Sequence, residues 1–333
     1  MAIVTVEAMK CWFSRAALIL ICVIAFPQRS PAPLIYTPGE GWRYESVGGG
    51  AWQRTRAKDQ LEVAQGAFDK KDYRLALKAA RRTVHLWPFS DYAPQAQYLM
   101  ARCLEERHDD EKAFKAYQTL LVHYPKMENY NEIVKHQFII ANRFLAGQWF
   151  KIWGYVPFLP SMDKTIKLYD QIIKNGAYSE IAPEAQMNIG QAHEKKLIKD
   201  YPAAAQAYER AADRYHDLPL GVDALYREGI AYEKQAKTAE YDQSIAAQAI
   251  ATFTDFIALH PEDTRGPGAQ KLIESLKTEQ ARGSFEIAHY YERHRRWRGA
   301  LIYYNEVLQK DPNSRYAEAA RVRIDALNKR LRQ

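Results

Sequence analysis

One spacing recurs through this chain and limits what it can fold into. Ala76 stands twelve residues before Pro88, Ala113 twelve before Pro125, Ala249 twelve before Pro261 and Ala300 twelve before Pro312. The first two pairs are themselves 37 residues apart, alanine to alanine and proline to proline. In three of these segments an aromatic ring follows the alanine by four residues: Tyr117, Phe253 and Tyr304. Residues four apart lie on one helix face, so alanine and ring share a stripe. The small residue lets a second helix approach closely, and the ring fills the next turn. The proline then stops the helix, because it has no N–H to donate. Such a pair of antiparallel helices leaves an apolar face uncovered, so each pair must stack on the next.

This unit resembles the tetratricopeptide repeat, whose period is about 34 residues. The predicted fold class is therefore all-α, a solenoid of antiparallel helix pairs with no sheet of any size. Six units are expected, at about 57–91, 94–127, 130–177, 182–217, 219–262 and 281–313. Two are looser than the rest. One is built on Ala203-Ala204 with Tyr208 and Ala211, the other on Thr165 to Tyr169 with Ile172. A last helix, Tyr316 to Arg332, carries Arg321, Arg323, Lys329 and Arg330 and is expected to cap the array. The unit at 219–262 holds an extra stretch, Ala236 to Ser244, between its helices. The unit at 130–177 is interrupted at 147–160 by a segment rich in aromatics: Trp149, Phe150, Trp153, Tyr155 and Phe158. Gly147, Gly154, Pro157 and Pro160 break the helix there, so an ordered loop or short turn is expected. Its rings either plug the space between repeats or present a contact surface to a partner or a membrane interface.

The first 55 residues do not share the repeat. Lys10 to Arg15 is a short basic stretch, and Ala16 to Phe26 is an uncharged run of eleven residues, too short to span a bilayer. Residues 1–26 read as a secretory signal peptide or N-terminal anchor, with Met1 or Met9 as the start. Three fates are open: plain cleavage, lipidation at Cys22, or retention as an anchor. Ile21 is a poor residue to precede a lipidated cysteine. Residues 27–55, with Pro27, Pro31, Pro33, Pro38 and Gly48-Gly49-Gly50, read as an extended linker with no strand period. The remainder, 56–333, is the repeat domain.

The composition narrows the chemistry. The chain of 333 residues has 47 Lys plus Arg against 40 Asp plus Glu, a formal charge of +7. Loss of 1–26 leaves it near +6. So mild a bias does not make a nucleic-acid binder, and a leader would send the chain out of the cytoplasm. Three cysteines exclude a disulfide scaffold. Cys103 is expected to be a small core residue. His85, His123 and His260 fall in the last turn of second helices, where a cationic ring suits the helix dipole. His289 and His294 are five apart and do not share a helix face as a ligand pair would. No phosphate loop, nucleophile elbow or zinc-protease motif is present. No catalytic residue, metal, cofactor or small-molecule substrate is predicted.

Binding remains. First helices of successive repeats would line a groove with Gln65, Phe68, Tyr98, Arg102, Glu105, Phe138 and Asn142. The alternative is an ordinary solvated concave face. Near the C-terminus, Arg295, Arg296 and Arg298 surround Trp297, which is expected to be core. The arginines are then either a solvated turn or a contact for an acidic partner or anionic head groups.

Longer strings carry a more specific likeness. Pro88-Phe89-Ser90-Asp91-Tyr92-Ala93-Pro94-Gln95-Ala96-Gln97-Tyr98 resembles the first inter-repeat turn of the BamD family, the repeat lipoproteins of β-barrel assembly. Ala239-Glu240-Tyr241-Asp242-Gln243 leading to Ala249-Ile250 and Phe253, and Phe285 to Glu292, are similar to later parts of that family. The chain has more repeats than the family's usual five, and the aromatic insertion besides. The resemblance implies a non-enzymatic scaffold on the periplasmic side of the outer membrane. It would hold the barrel-inserting subunit, meet nascent barrel proteins through its N-terminal repeats, and join the membrane through its N-terminus. The other expectation is a periplasmic adaptor for cell-wall or envelope processes outside that machinery.

Overall fold

A computed structural model describes residues 34–37, 41–44, 52–152, 156–238 and 243–332. The leader, with Cys11 and Cys22, lies outside the described residues. The chain is all-α, an α-solenoid of tetratricopeptide-type pairs, with two short two-stranded ribbons added. The described helices are α1 (Ala57–Asp69), α2 (Tyr73–Leu86), α3 (Ala93–Glu106), α4 (Asp110–His123), α5 (Tyr130–Leu145), α6 (Met162–Asn175), α7 (Ala182–Lys195), α8 (Tyr201–Arg214), α9 (Pro219–Thr238), α10 (Gln243–Leu259), α11 (Gly266–Arg293), α12 (Trp297–Lys310) and α13 (Arg315–Arg332). They fall into two compact units, Met1–Ala116 and Tyr117–Gln333. Within each unit a helix packs on its neighbours in sequence and on the helix two along, which is the stacking the repeat requires. Among the described residues no helix is long and apolar enough to cross a membrane.

The small–aromatic stripe does what its spacing demands. Ala76, Ala113, Ala204, Ala249 and Ala300 are fully buried, as is Thr165 in the third pair. So are the rings four residues on: Tyr117, Tyr169, Tyr208, Phe253 and Tyr304. Opposite two of the rings the facing helix carries glycine. A Cβ built on Gly190 would lie 2.4 Å from the Tyr208 ring, and one on Gly229 would lie 2.6 Å from the Phe253 ring. A buried glutamine repeats as well. Gln97 donates to the Ala116 carbonyl at 3.2 Å, and Gln186 to the Ala207 carbonyl at 3.2 Å. Each ties the first helix of a pair to the second.

Three of the turns inside pairs share one solution. Lys71, His108 and Arg295 have φ of 62°, 55° and 57°, the left-handed region. Around each, two amides fold back on the first helix, as Lys71 N–H does to Phe68 O and Asp72 N–H to Ala67 O. Asp72, Ser161 and Asp200 then cap the following helices by accepting from Leu75, Lys164 and Ala203 N–H.

Three expectations differ from what is observed. In the linker, Leu34–Thr37 (β1) pairs antiparallel with Gly41–Tyr44 (β2). Each strand is four residues long, and no period can show over so short a run. In the insertion, Phe150–Ile152 (β3) pairs antiparallel with Val156–Leu159 (β4), opposing Phe150 to Leu159 and Ile152 to Val156. A two-stranded ribbon stands where an ordered loop or short turn was expected. Finally, the first helix of the last pair begins at Gly266, well before 281, and runs unbroken for 28 residues. Beyond it, α13 buries Ala317, Ala320 and Leu327 against that pair and leaves Arg321, Arg323, Lys329 and Arg330 exposed.

Candidate functional site

Four of the residues expected to line a groove come together on α1 and α3 in the first unit. Gln65 is exposed and donates to Asp69 at 3.0 Å. The Arg102 guanidinium stands 5.8 Å from the centre of the Phe68 ring, its Nη1 3.4 Å from the Tyr98 hydroxyl. Two further residues complete this strip. Tyr73 packs edge-on to Phe68 at 5.4 Å and donates to Glu106 at 3.4 Å, while Glu106 faces Arg102 at 3.5 Å. The strip is thus a half-buried arginine held among three aromatic rings and one carboxylate. It can take apolar side chains on the rings and hydrogen-bonding groups on Gln65 and Arg102.

Glu105 does not belong to it. It is buried, and Glu106 holds the outward place. One residue along a helix turns the side chain by about 100°, so a phase error of one moves a carboxylate from groove to core. Tyr73 starts the second helix of its pair and was outside any first-helix reading; the Arg102–Glu106 spacing of four was the legible signal for Glu106.

Phe138 and Asn142 lie in the second unit and point into packing. Phe138 is buried, edge-on to Tyr169 at 6.0 Å. Asn142 Oδ1 accepts from the Tyr169 hydroxyl at 2.5 Å and from Asn188 Nδ2 at 3.0 Å. These bonds lock α5 to α6 and α7, and burial pushes the Tyr169 phenol far above its ordinary value. A second amide cluster lies in the same region. Asn175 Nδ2 donates to Gln118 at 2.7 Å and to Gln137 at 2.9 Å, and Gln137 Nε2 donates to Gln118 at 3.0 Å. Half-buried and buried amides placed so are seams between helices. The expectation that Phe138 and Asn142 line an open groove is corrected accordingly.

The aromatic insertion divides. Phe150 is buried and stacks on Phe144 with centroids 4.0 Å apart, so as a contact residue it is corrected to an anchor. Trp149 beside it is 53% exposed. Trp153 and Tyr155 lie outside the described residues, as does the side chain of Phe158.

At the last pair, Arg295 and Arg296 are exposed in the turn, with Arg295 left-handed, and Arg298 is exposed in the first turn of α12. Trp297 packs half-buried against the terminal core, with the Arg330 guanidinium 4.4 Å from its ring centre. The turn and α13 together present a basic end.

Two interior ionisable groups stand out. Cys103 is buried, which pushes its thiol up to about 12 and leaves it inert. Glu228 is also buried, and its carboxyl is pushed up to about 7 by loss of solvent and by Glu209, against a weak bond from Thr252 at 3.4 Å. Among the described residues no cluster of three or more His, Cys, Asp or Glu is placed to hold a metal ion.

No curated protein sequence matches this chain. Among solved structures it is similar to the C-terminal part of a TPR repeat-containing protein from Cytophaga hutchinsonii. That likeness has 16% identity and a TM-score of 0.35, over 79% of this chain and 87% of the other. It is also similar to a tetratricopeptide repeat protein from Parabacteroides merdae, at 12% identity and a TM-score of 0.34 over 81% and 98%. MamA from Desulfovibrio magneticus matches at 12% and 0.32 over 62% and 97%. At such TM-scores these likenesses add nothing to the fold argued above from the chain itself. Two family models match. Residues 95–126 match the tetratricopeptide repeat, and residues 162–311, just under half of the chain, match YfiO, described as an outer membrane lipoprotein. The chain is an α-solenoid of tetratricopeptide-type helix pairs whose residues 162–311 are similar to that lipoprotein family.

Proposed function

We propose that this protein is a non-enzymatic scaffold of the cell envelope, working on the periplasmic side of the outer membrane in the assembly and insertion of β-barrel proteins. The observation that carries the reading is the match of residues 162–311 to an outer membrane lipoprotein family. It coincides with helix pairs that supply binding faces, and with no constellation suited to catalysis among the described residues. The leader at 1–26, read from sequence, agrees with export. The Phe68–Tyr98–Arg102 strip and the basic end at Arg295–Arg298 are the two faces we assign to partners: the strip to extended apolar segments, the basic end to an acidic surface.

Depletion of the protein tests this. Outer-membrane barrel proteins should fall in abundance, and the barrel-inserting subunit should co-purify with the chain. Normal barrels together with co-purified cell-wall synthases would refute the proposal and identify an adaptor of cell-wall processes instead.

A further inference from the structure

Four large apolar side chains protrude at one end of the third and fourth helix pairs. Leu197 is fully exposed and Ile198 is 85% exposed, on the loop joining α7 to α8. Trp149, just before β3, and Leu159, the last residue of β4, are 53% and 54% exposed. Two contacts fasten the loop to the ribbon's base. Lys195 Nζ donates to the Leu145 carbonyl at 3.3 Å, and Lys196 Nζ pairs with Asp163 at 2.9 Å. Phe150 fixes the ribbon below by stacking on Phe144. The exposure is therefore held in place by a built support.

Around these side chains lysines outnumber carboxylates: Lys164, Lys195, Lys196 and Lys199 against Asp163 and Asp200. Lys164 and Lys199 are exposed, and Lys164 lies over the Phe150 ring at 4.9 Å. The nearby carboxylates, Asp163 and Asp200, both pair with Lys196, and Asp200 also caps α8. From Ala146 to Met162 the sequence has no acidic residue at all. Protruding apolar residues on two loops do not make a pocket for a rigid partner. They suit a surface that yields, and lysines on long stems beside them suit one that is anionic. An indole at such a boundary has its ring in apolar surroundings and its N–H in water.

We propose that this edge, formed by Trp149, Leu159, Leu197 and Ile198 with Lys164 and Lys199, docks on an anionic phospholipid surface. The leader, if retained, joins the membrane by a separate route, so the test must read this edge locally. A fluorophore sensitive to polarity is placed at Ile198→Cys, in a chain with Cys11→Ser and Cys22→Ser. Cys103 is buried and does not compete for label. A second chain carries the label at Tyr178→Cys, an exposed position at the other end of α7.

With phosphatidylglycerol-rich vesicles the label at 198 should shift to the blue and be quenched by lipid-borne quenchers. The label at 178 should stay aqueous, and phosphatidylcholine vesicles should give no shift at either position. Adding Trp149→Ser and Leu197→Ser should raise the lipid needed for half-maximal shift by about tenfold or more. An unshifted label at 198, or equal shifts at 198 and 178, would overturn the proposal. So would protection of the 198 label by a purified protein partner but not by vesicles, which would make the edge a protein contact.

Discussion

Replacing Glu228 with glutamine is expected to stabilise the chain at pH 8 and leave it almost unchanged near pH 4. Glu228 is 8% exposed on α9, which packs against α8 and α10. Glu209 and Asp213 on α8 and Asp255 on α10 all disfavour its charge, and only the Thr252 hydroxyl supports it. The folded state therefore holds the proton up to about 7, against an ordinary 4.5. The sign follows directly. Below 4.5 both states are protonated and the group is neutral toward folding. Between 4.5 and 7 the unfolded chain sheds its proton first, so stability falls as pH rises, and above 7 the loss is complete. At about 1.4 kcal/mol for each tenfold change in proton affinity, the full loss is roughly 3 kcal/mol. Glutamine keeps the shape and the acceptor for Thr252 and removes the charge. Urea denaturation followed by circular dichroism, at pH 4 and pH 8, gives the comparison. The variant should gain about 2–3 kcal/mol at pH 8 and less than about 0.5 near pH 4. Equal effects at the two pH values, or a loss at pH 8, would refute the reasoning.

Glycine at Lys71, His108 or Arg295 relieves a left-handed residue and should raise stability by about 0.5–1 kcal/mol each, read as a shift of the urea midpoint. Gly190→Ala and Gly229→Ala push a methyl into the buried rings of Tyr208 and Phe253. Each should cost about 1–3 kcal/mol in the same assay. Phe150→Ala should cost about 3 kcal/mol, whereas Trp149→Ala should leave the melting temperature within about a degree, because only the first ring is buried.

The helix pairs were legible because their cause is local. An alanine, a ring one turn later and a proline stop lie within a dozen residues, and each acts through short-range geometry. Thr165 with Tyr169 and Ala204 with Tyr208 obey the same rule in units that lack the proline, so the stripe reached further than the stop signal. The start at Gly266 was missed for the opposite reason. No capping side chain marks it, yet burial of Ala269, Ile273 and Leu276 against α10 carries the helix through.

What faces outward was decided in three dimensions. Glu105 and Glu106 are neighbours of one charge and one size, and only helix phase put the first inside and the second beside Arg102. Asn142 looked like a groove residue until the Tyr169 hydroxyl and the Asn188 amide met it from two other helices. Trp149 and Phe150 are adjacent aromatics, and the stacking of Phe150 on Phe144 chose which ring was left to water. Periodicity sets which residues lie on one stripe of a helix. It does not set which neighbour arrives to cover that stripe, because such contacts join residues tens of positions apart and depend on how whole helices pack.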